Sequence, residues 1–345
     1  MSTTSSLAWG ILGTGSIANT FAEGLTHSRT GRLVAVGSRE LASAKEFAAK
    51  QGGVKAHGSY DELLADSDVQ AVYISTPHPL HAEWSVKAAR AGKHILCEKP
   101  LTLNHAEALV VAEEVRTHGV FLMEAFMYRC HPQTARIVEL IQGGAIGEVG
   151  VVQATFSFKS DFDAGSRLFA NALGGGGILD VGCYAMSIAR LVAGAAQGRA
   201  FFDPLRVTGM ARLHPETGTD LYALATAEFD GGVLAQLAAG VNLKQDTGLR
   251  VFGSGGSIHV PTPFVFSREG GKSTIHLQRE EKAAEAIVID CPHYLYALEA
   301  DAVGDAIAAG LKESPCMPVA DSLGNMRALD EWRASADLVY ESEKS

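Results

Sequence analysis

The chain is short of the residues that would commit it to several common roles. Its five cysteines, at positions 97, 130, 183, 291 and 316, are odd in number, widely spaced and never form a CxxC pair. That pattern argues against a disulfide framework and against a zinc ribbon. The twelve histidines are scattered. Only His78 and His81, in PHPLH, sit close together, and no acidic motif accompanies them, so no metal site is expected. Basic residues are outnumbered, 29 against 39 acidic ones, for a formal net charge of −10. Without a basic run, the chain is a poor candidate for binding nucleic acid or an anionic membrane, both of which need clustered Lys and Arg. No stretch approaches the ~20 consecutive apolar residues of a membrane span. The start, MSTTSSLAWGIL, lacks a basic n-region and a cleavage site. A cytoplasmic location is therefore expected, unless a leader has been removed.

What is present is globular material. Hydrophobic residues make up 47% and charged residues 20% of 345 positions, enough for a core and for two domains. Over the first ~125 residues, apolar runs at 7–12, 33–37, 69–74, 93–97 and 120–124 alternate with helical patterns near 16–26, 41–51, 60–66, 80–91 and 104–118. That alternation predicts βαβ units and a parallel sheet. Asn104 reads as an N-cap, and Gly92 and Gly119 as helix stops. Beyond about residue 145 the texture changes to longer strands, at 149–159, 205–213, 221–229 and 232–242, with Asp230-Gly231-Gly232 as a hairpin turn. Helical segments lie near 178–193, 292–311 and 319–341. The expectation is a doubly wound α/β domain over 1–125, then an α+β domain with a mostly antiparallel sheet over 126–345. The last helices of that second domain are expected to pack back on the first.

The first strand runs into Gly13-Thr14-Gly15-Ser16-Ile17-Ala18, a GxGxxA turn that opens a helical pattern. Gly13 permits the tight turn, Gly15 lets backbone approach a pyrophosphate, and Ala18 allows close helix–strand packing. The helix N-terminus then offers N–H groups to the phosphates. At the end of the second strand, where an NAD-preferring fold usually places an acid for the ribose 2′-OH, stand Ser38 and Arg39. A hydroxyl and a guanidinium suit a 2′-phosphate, which favours NADP over NAD, unless Arg39 is only a solvated surface charge. Glu40 is expected in the first turn of the next helix. The other glycine cluster, Gly253-Ser254-Gly255-Gly256, lies between two β-like runs and reads as a sheet turn.

In a doubly wound sheet, ligands sit at the carboxyl ends of the strands. Two strands end there on Ser75-Thr76-Pro77-His78 and on Glu98-Lys99-Pro100. A partly desolvated lysine at such a place can orient a substrate hydroxyl or lower the pKa of a neighbouring acid. From the residues alone, a salt bridge between Lys99 and Glu98 serves equally well.

Taken in order, GTGSIA, STPHPLH, CEKPL and MEAFMYR resemble the glucose–fructose oxidoreductase/inositol dehydrogenase/MocA family along nearly the whole chain. The stretch SRLFANALGGGGILDVGCYAM at 166–186 is similar to the branch of dimeric dihydrodiol dehydrogenase and NADP-dependent D-xylose 1-dehydrogenase. The resemblance implies a Rossmann domain, then a domain with an open-faced, largely antiparallel sheet through which oligomers, commonly dimers, form. It places Lys99, the lysine of the EKP motif, in an active site with Asp180 and Tyr184. It puts Gly13, Thr14, Gly15, Ser16, Ile17, Ser38, Arg39, Thr76, Pro77, His81, Glu98, Lys99 and Arg129 on the cofactor side. Phe158, Phe162, Arg167 and Phe169 join Lys99, Asp180 and Tyr184 on the substrate side. Many family members carry histidine where this chain has Tyr184. Asn171-Ala172-Leu173 departs from the branch's usual NPEL-like stretch.

The implied reaction is hydride transfer between a carbinol carbon of a sugar or polyol and nicotinamide C4, without a metal. Tyr184 is the candidate acid/base. Free tyrosine has a pKa of ~10, and a lysine ammonium beside it favours phenolate. Asp180 and Tyr184 are spaced i, i+4, so on an α-helix they share a face. Read alone, Tyr184 is also a packed helix tyrosine and Asp180 a helix-start carboxylate. Two alternatives remain at this point: a 1,5-anhydrofructose-type ketose reductase, and a non-catalytic dinucleotide-binding regulator on the same fold.

Overall fold

A computed structural model describes residues 6–264 and 267–344. Residues 1–5, on which part of the leader expectation rests, lie outside the described residues. The chain forms two compact units. The first holds the chain up to Cys130 together with Ser267–Gly270 and His293–Ser322, and the second holds the rest.

The first unit is built from β1 (Leu7–Leu12), α1 (Ser16–Thr26), β2 (Gly31–Gly37), α2 (Leu41–Lys50), β3 (Lys55–His57), α3 (Tyr60–Ala65), β4 (Ala71–Ile74), α4 (His81–Arg90), β5 (His94–Glu98), α5 (His105–His118) and β6 (Leu122–Ala125). Its six strands are parallel, in the order β3-β2-β1-β4-β5-β6. The sheet is covered on both faces, so β1 and β4 are continuous apolar runs with every residue buried. Sequence punctuation sets the helix ends. The Asn104 side chain accepts from Glu107 N, and Gly119 closes α5 at φ 63°. Glu40 differs from expectation: it is the extended residue before α2, and its N–H donates to Ser38 Oγ at 3.4 Å.

The second unit starts with α6 (Pro132–Gln142), β7 (Val149–Ser157) and α7 (Cys183–Ala196). Seven strands follow: β8 (Pro204–Leu213), β9 (Asp220–Phe229), β10 (Leu234–Gly240), β11 (Gly248–Gly253), β12 (Gly256–Val260), β13 (Gly271–Arg279) and β14 (Glu285–Cys291). They form an eight-stranded sheet, β14-β13-β12-β11-β7-β10-β9-β8, antiparallel except between β7 and β10. Gly231 and Gly232, at φ 82° and 84°, make the β9–β10 turn. The second glycine cluster is the β11–β12 turn, as read. The sheet is one-sided. The register sets Met210, Leu224, Leu234, Phe252 and Val288 on one exposed face. Ala225, Leu237, Val251, Ile258 and Ile275 lie on the other, buried.

Two helices close the series, α8 (Leu295–Ala308) and α9 (Val319–Ser335). α8 belongs to the first unit and packs on α1 at Gly24, where a Cβ would stand 2.6 Å from Tyr296 Cβ. Among the described residues, Asn171–Ala196 is long and apolar enough, by length and composition, to cross a membrane. Its most apolar window is wholly buried, as in the core helix of a globular unit.

Candidate functional site

The ends of β1 and β4 form a cradle. Gly13 has φ +107°, and a Cβ there would stand 3.0 Å from Ser75 Oγ. Gly15 faces open space and precedes α1, whose first turn has no side-chain cap. Its leading N–H groups therefore lack the partners an N-cap would provide. Thr76 Oγ1, at the end of β4, is buried without a hydrogen-bond partner. Strand order reverses between β1 and β4, the place where doubly wound sheets bind ligands. An open glycine, an uncapped helix start and an unused buried hydroxyl fit a dinucleotide pyrophosphate. At the end of β2, Ser38 is buried and Arg39 is exposed, near enough to Tyr60 for its charge to oppose the burial that raises the Tyr60 pKa.

Lys99 follows β5 and is half-buried, in a turn pinned from several sides. Glu98 accepts from the Tyr73 hydroxyl through one oxygen and from Lys99 N at 3.2 Å through the other. Glu124, from β6, accepts from Leu101 N at 2.8 Å. His81 ties the two loops together: Nδ1 lies 2.8 Å from Pro100 O and Nε2 2.8 Å from Thr76 O. Complete burial lowers the His81 pKa, and the Lys99 charge adds to the effect. Read from sequence as a cofactor-side residue, His81 has both ring nitrogens engaged with backbone and holds the loops in register.

Beneath this turn lies an acid cluster that sequence reasoning missed. Phe21 stacks on Tyr73 at 3.9 Å, and α8 contributes Tyr296 and Glu299. Glu299 is fully buried with no partner for either carboxyl oxygen. Burial, reinforced by the Glu98 charge, pushes its pKa well above the ordinary carboxylate value. Arg129 is also internal: it bonds Asp321 at 2.5 Å and Cys316 O at 3.0 Å.

In the second unit, Asp180 lies in a π-helical turn, Ile178–Gly182, that leads into α7. The expected regular α-helix is thus widened at its start. Two contacts remote in sequence hold its start. Asp220, at the head of β9, accepts from Ile178 N at 2.8 Å, and Gly177 lies so close to Gly240 that a Cβ would stand 3.1 Å from its Cα. Arg167 Nη1 holds Asp180 Oδ1 at 2.9 Å. Arg167 is largely exposed, so the pair orients the carboxylate more than it stabilises the fold. Tyr184, in the first turn of α7, is buried edge-on against Phe156 at 5.3 Å and tilted against Phe264 at 5.6 Å. Phe169 is core, whereas Phe162 is exposed and stacks on His214 at 3.8 Å. Phe158 is half-buried, its N–H bonded to Gly240 O at 3.0 Å.

Asp220 is a positioning group that no local motif singles out. Burial raises its pKa to about 7, against the pull of backbone N–H groups at Ile178 and Gly177. Asp220→Ala unpairs the Ile178 N–H and should lower unfolding free energy by about 2 kcal/mol in a urea titration. The pH dependence has a fixed sign. Between about pH 4, where an unfolded Asp ionises, and about 7, the folded state alone retains the proton. That contribution is full at low pH and lost as pH rises through the folded value. Measured against Asp220→Asn, the protein should lose relative stability over this window and run parallel above it.

Comparison with known proteins follows the same division. Residues 7–126 match the family model described as an oxidoreductase family with an NAD-binding Rossmann fold. Residues 134–259 match the GFO/IDH/MocA C-terminal domain. The chain is 32% identical over 345 residues to trans-1,2-dihydrobenzene-1,2-diol dehydrogenase of Mus musculus, covering 98% of this chain and 99% of that one. It is 33% identical over 331 residues to D-xylose 1-dehydrogenase (NADP(+)) 2 of Haloferax volcanii, covering 96% and 98%. Among solved structures it resembles KijD10, a 3-ketoreductase from Actinomadura kijaniata crystallised with NADP and TDP-benzene: TM-score 0.86, 30% identity, 96% and 98% of the two chains. Matched in both of its domains and along its length, the chain belongs to the GFO/IDH/MocA family of oxidoreductases.

Proposed function

We propose that this chain is an NADP-dependent dehydrogenase/reductase that moves a hydride between nicotinamide and a carbinol of a sugar or polyol, either an aldose such as D-xylose or a trans-dihydrodiol. The observation that carries the reading is the placement of Lys99. It sits on a clamped turn at the carboxyl end of β5, in the same sheet and at the same edge as the Gly13–Ser16 cradle. The names of the full-length relatives supply the substrate classes.

Gly13, Thr14, Gly15, Ser16 and Ile17 hold the pyrophosphate, and Ser38 and Arg39 hold the 2′-phosphate. Bound there, NADP supplies the carbon that accepts or gives the hydride. Lys99 orients the reacting hydroxyl through its ammonium group. Tyr184 takes the hydroxyl proton on its phenolic oxygen during oxidation and returns it during reduction. Asp180, held by Arg167, positions a substrate hydroxyl. Residues 1–125 carry the dinucleotide, and 126–345 carry the substrate and the oligomer contact. The exposed face at Met210, Leu224, Leu234, Phe252 and Val288 is the surface for a homodimer. The protein works in the cytoplasm.

Arg39→Ala should raise the NADP dissociation constant about tenfold or more, as expected for a lost charge-assisted bond, and leave that for NAD nearly unchanged. Titration of nicotinamide fluorescence checks this, and equal effects on both cofactors would remove the 2′-phosphate assignment. The function itself is tested by NADPH binding followed by NADP-dependent turnover on D-xylose, other aldoses and trans-dihydrodiols. Tight binding without turnover on any of them would sink the substrate assignment. A second reading, reduction of a sugar ketone, is favoured by the likeness to a 3-ketoreductase. Turnover of keto sugars alone would select it.

A further inference from the structure

Cys130 and Cys316 are far apart in sequence and face each other in the first unit. Their thiols interact directly. The residue before Cys130 fixes the approach, since Arg129 Nε donates to Cys316 O at 3.0 Å. The same guanidinium bonds Asp321 at 2.5 Å. The Cys316 N–H in turn bonds Ser314 Oγ at 3.3 Å, within a short turn closed by a bridge between Ser314 and Met317. Adjacent residues 129 and 130 thus both engage Cys316, one at its carbonyl and one at its sulfur. As residues Cys130 and Cys316 are half-buried, whereas Cys97, Cys183 and Cys291 are buried. Burial pushes the Cys97 thiol up and leaves it inert.

We propose that Cys130 and Cys316 are a redox-modification site, a dithiol that a peroxide converts reversibly to a disulfide. The Cys130 thiol, together with Ser314 and the Arg129 charge, lowers the Cys316 pKa to about 6, so Cys316 is the nucleophile. Its thiolate attacks one peroxide oxygen. A sulfur–oxygen bond forms and the O–O bond breaks, leaving a sulfenic acid on Cys316, and the departing oxygen leaves as hydroxide and takes a proton from solvent. The Cys130 sulfur then attacks Cys316. The S–S bond forms, the S–O bond breaks, and the departing hydroxide takes the Cys130 proton as water. The thiols lose two electrons to the peroxide, and an external dithiol restores them. The bond would join the Met127–Cys130 turn, just after β6, to the segment ahead of α9.

The test is peptide mapping of the full chain after hydrogen peroxide, without reduction. The expected product is one cross-linked Cys130–Cys316 peptide, reversed by dithiothreitol, with the other three cysteines still alkylatable. Cys130→Ser removes the resolving thiol, so Cys316 should accumulate as a sulfenic acid that dimedone traps. Cys316→Ser should leave Cys130 unoxidised at the same dose. Alkylation of Cys316 by iodoacetamide should titrate well below the range of an ordinary thiol. Failure of the cross-link to form in the unmodified chain would overturn the proposal, as would identical oxidation products in it and in Cys130→Ser.

Discussion

Replacing Lys99 with methionine should lower turnover by about a thousandfold, roughly 4 kcal/mol of transition-state stabilisation. NADPH affinity should change little. Methionine keeps most of the aliphatic length and removes only the ammonium. The turn itself is held by bonds that the variant leaves in place: Tyr73 to Glu98, Leu101 N to Glu124 and His81 to Pro100 O. A fall in kcat with unchanged cofactor binding is therefore attributable to the missing charge. Stopped-flow reduction of NADP, with binding followed separately by fluorescence, separates the two quantities. Full turnover in the variant would refute the central role given to Lys99.

Tyr184→Phe should cost a hundredfold or more in kcat, the usual range for losing a positioned acid/base. Phenylalanine preserves the ring that packs against Phe156 and Phe264. The fold and the cofactor cradle should persist, and the loss should concentrate in kcat rather than KM. The decisive readout is the pH profile. The wild-type limb belonging to the phenol should vanish in the variant, leaving a residual rate that no longer follows that ionisation. A variant with the parent kcat and the parent profile would return Tyr184 to the packing role that its buried position also permits.

These outcomes bear on how much could be read in advance. The first strand, the Gly13–Ala18 turn and the Asn104 cap were legible because each is local: a few adjacent residues set the geometry. β3 escaped notice because Lys55–His57 is three residues long and carries no apolar run. β13 was invisible for a related reason, since its polar, exposed residues interleave with Ile275 and Leu277. The π turn at Asp180 had no local signature. Its contacts run to Asp220, 42 residues from Ile178, and to Gly240. His81 shows the same limit. Its sequence context suggested a residue facing the cofactor, whereas both of its ring contacts run to backbone of two separate loops. The Cys130–Cys316 pair brings together two segments that no motif links.

The π turn also has a consequence for the angular phase of this helix. Such a turn houses one residue more than the α-helical turn it replaces. Removing a single residue from Ile178–Gly182 would let the helix run on as regular α with the residues on either side of the turn still in phase, because the wide turn gives up only its extra residue. Tyr184 and the core stripe of α7 would stay where they are, while Asp180, inside the turn, would lose the local position from which it meets Arg167. The spacing between Asp180 and Tyr184 is thus an indexed fit, and a shortened chain could retain the fold while losing the alignment of its two polar groups.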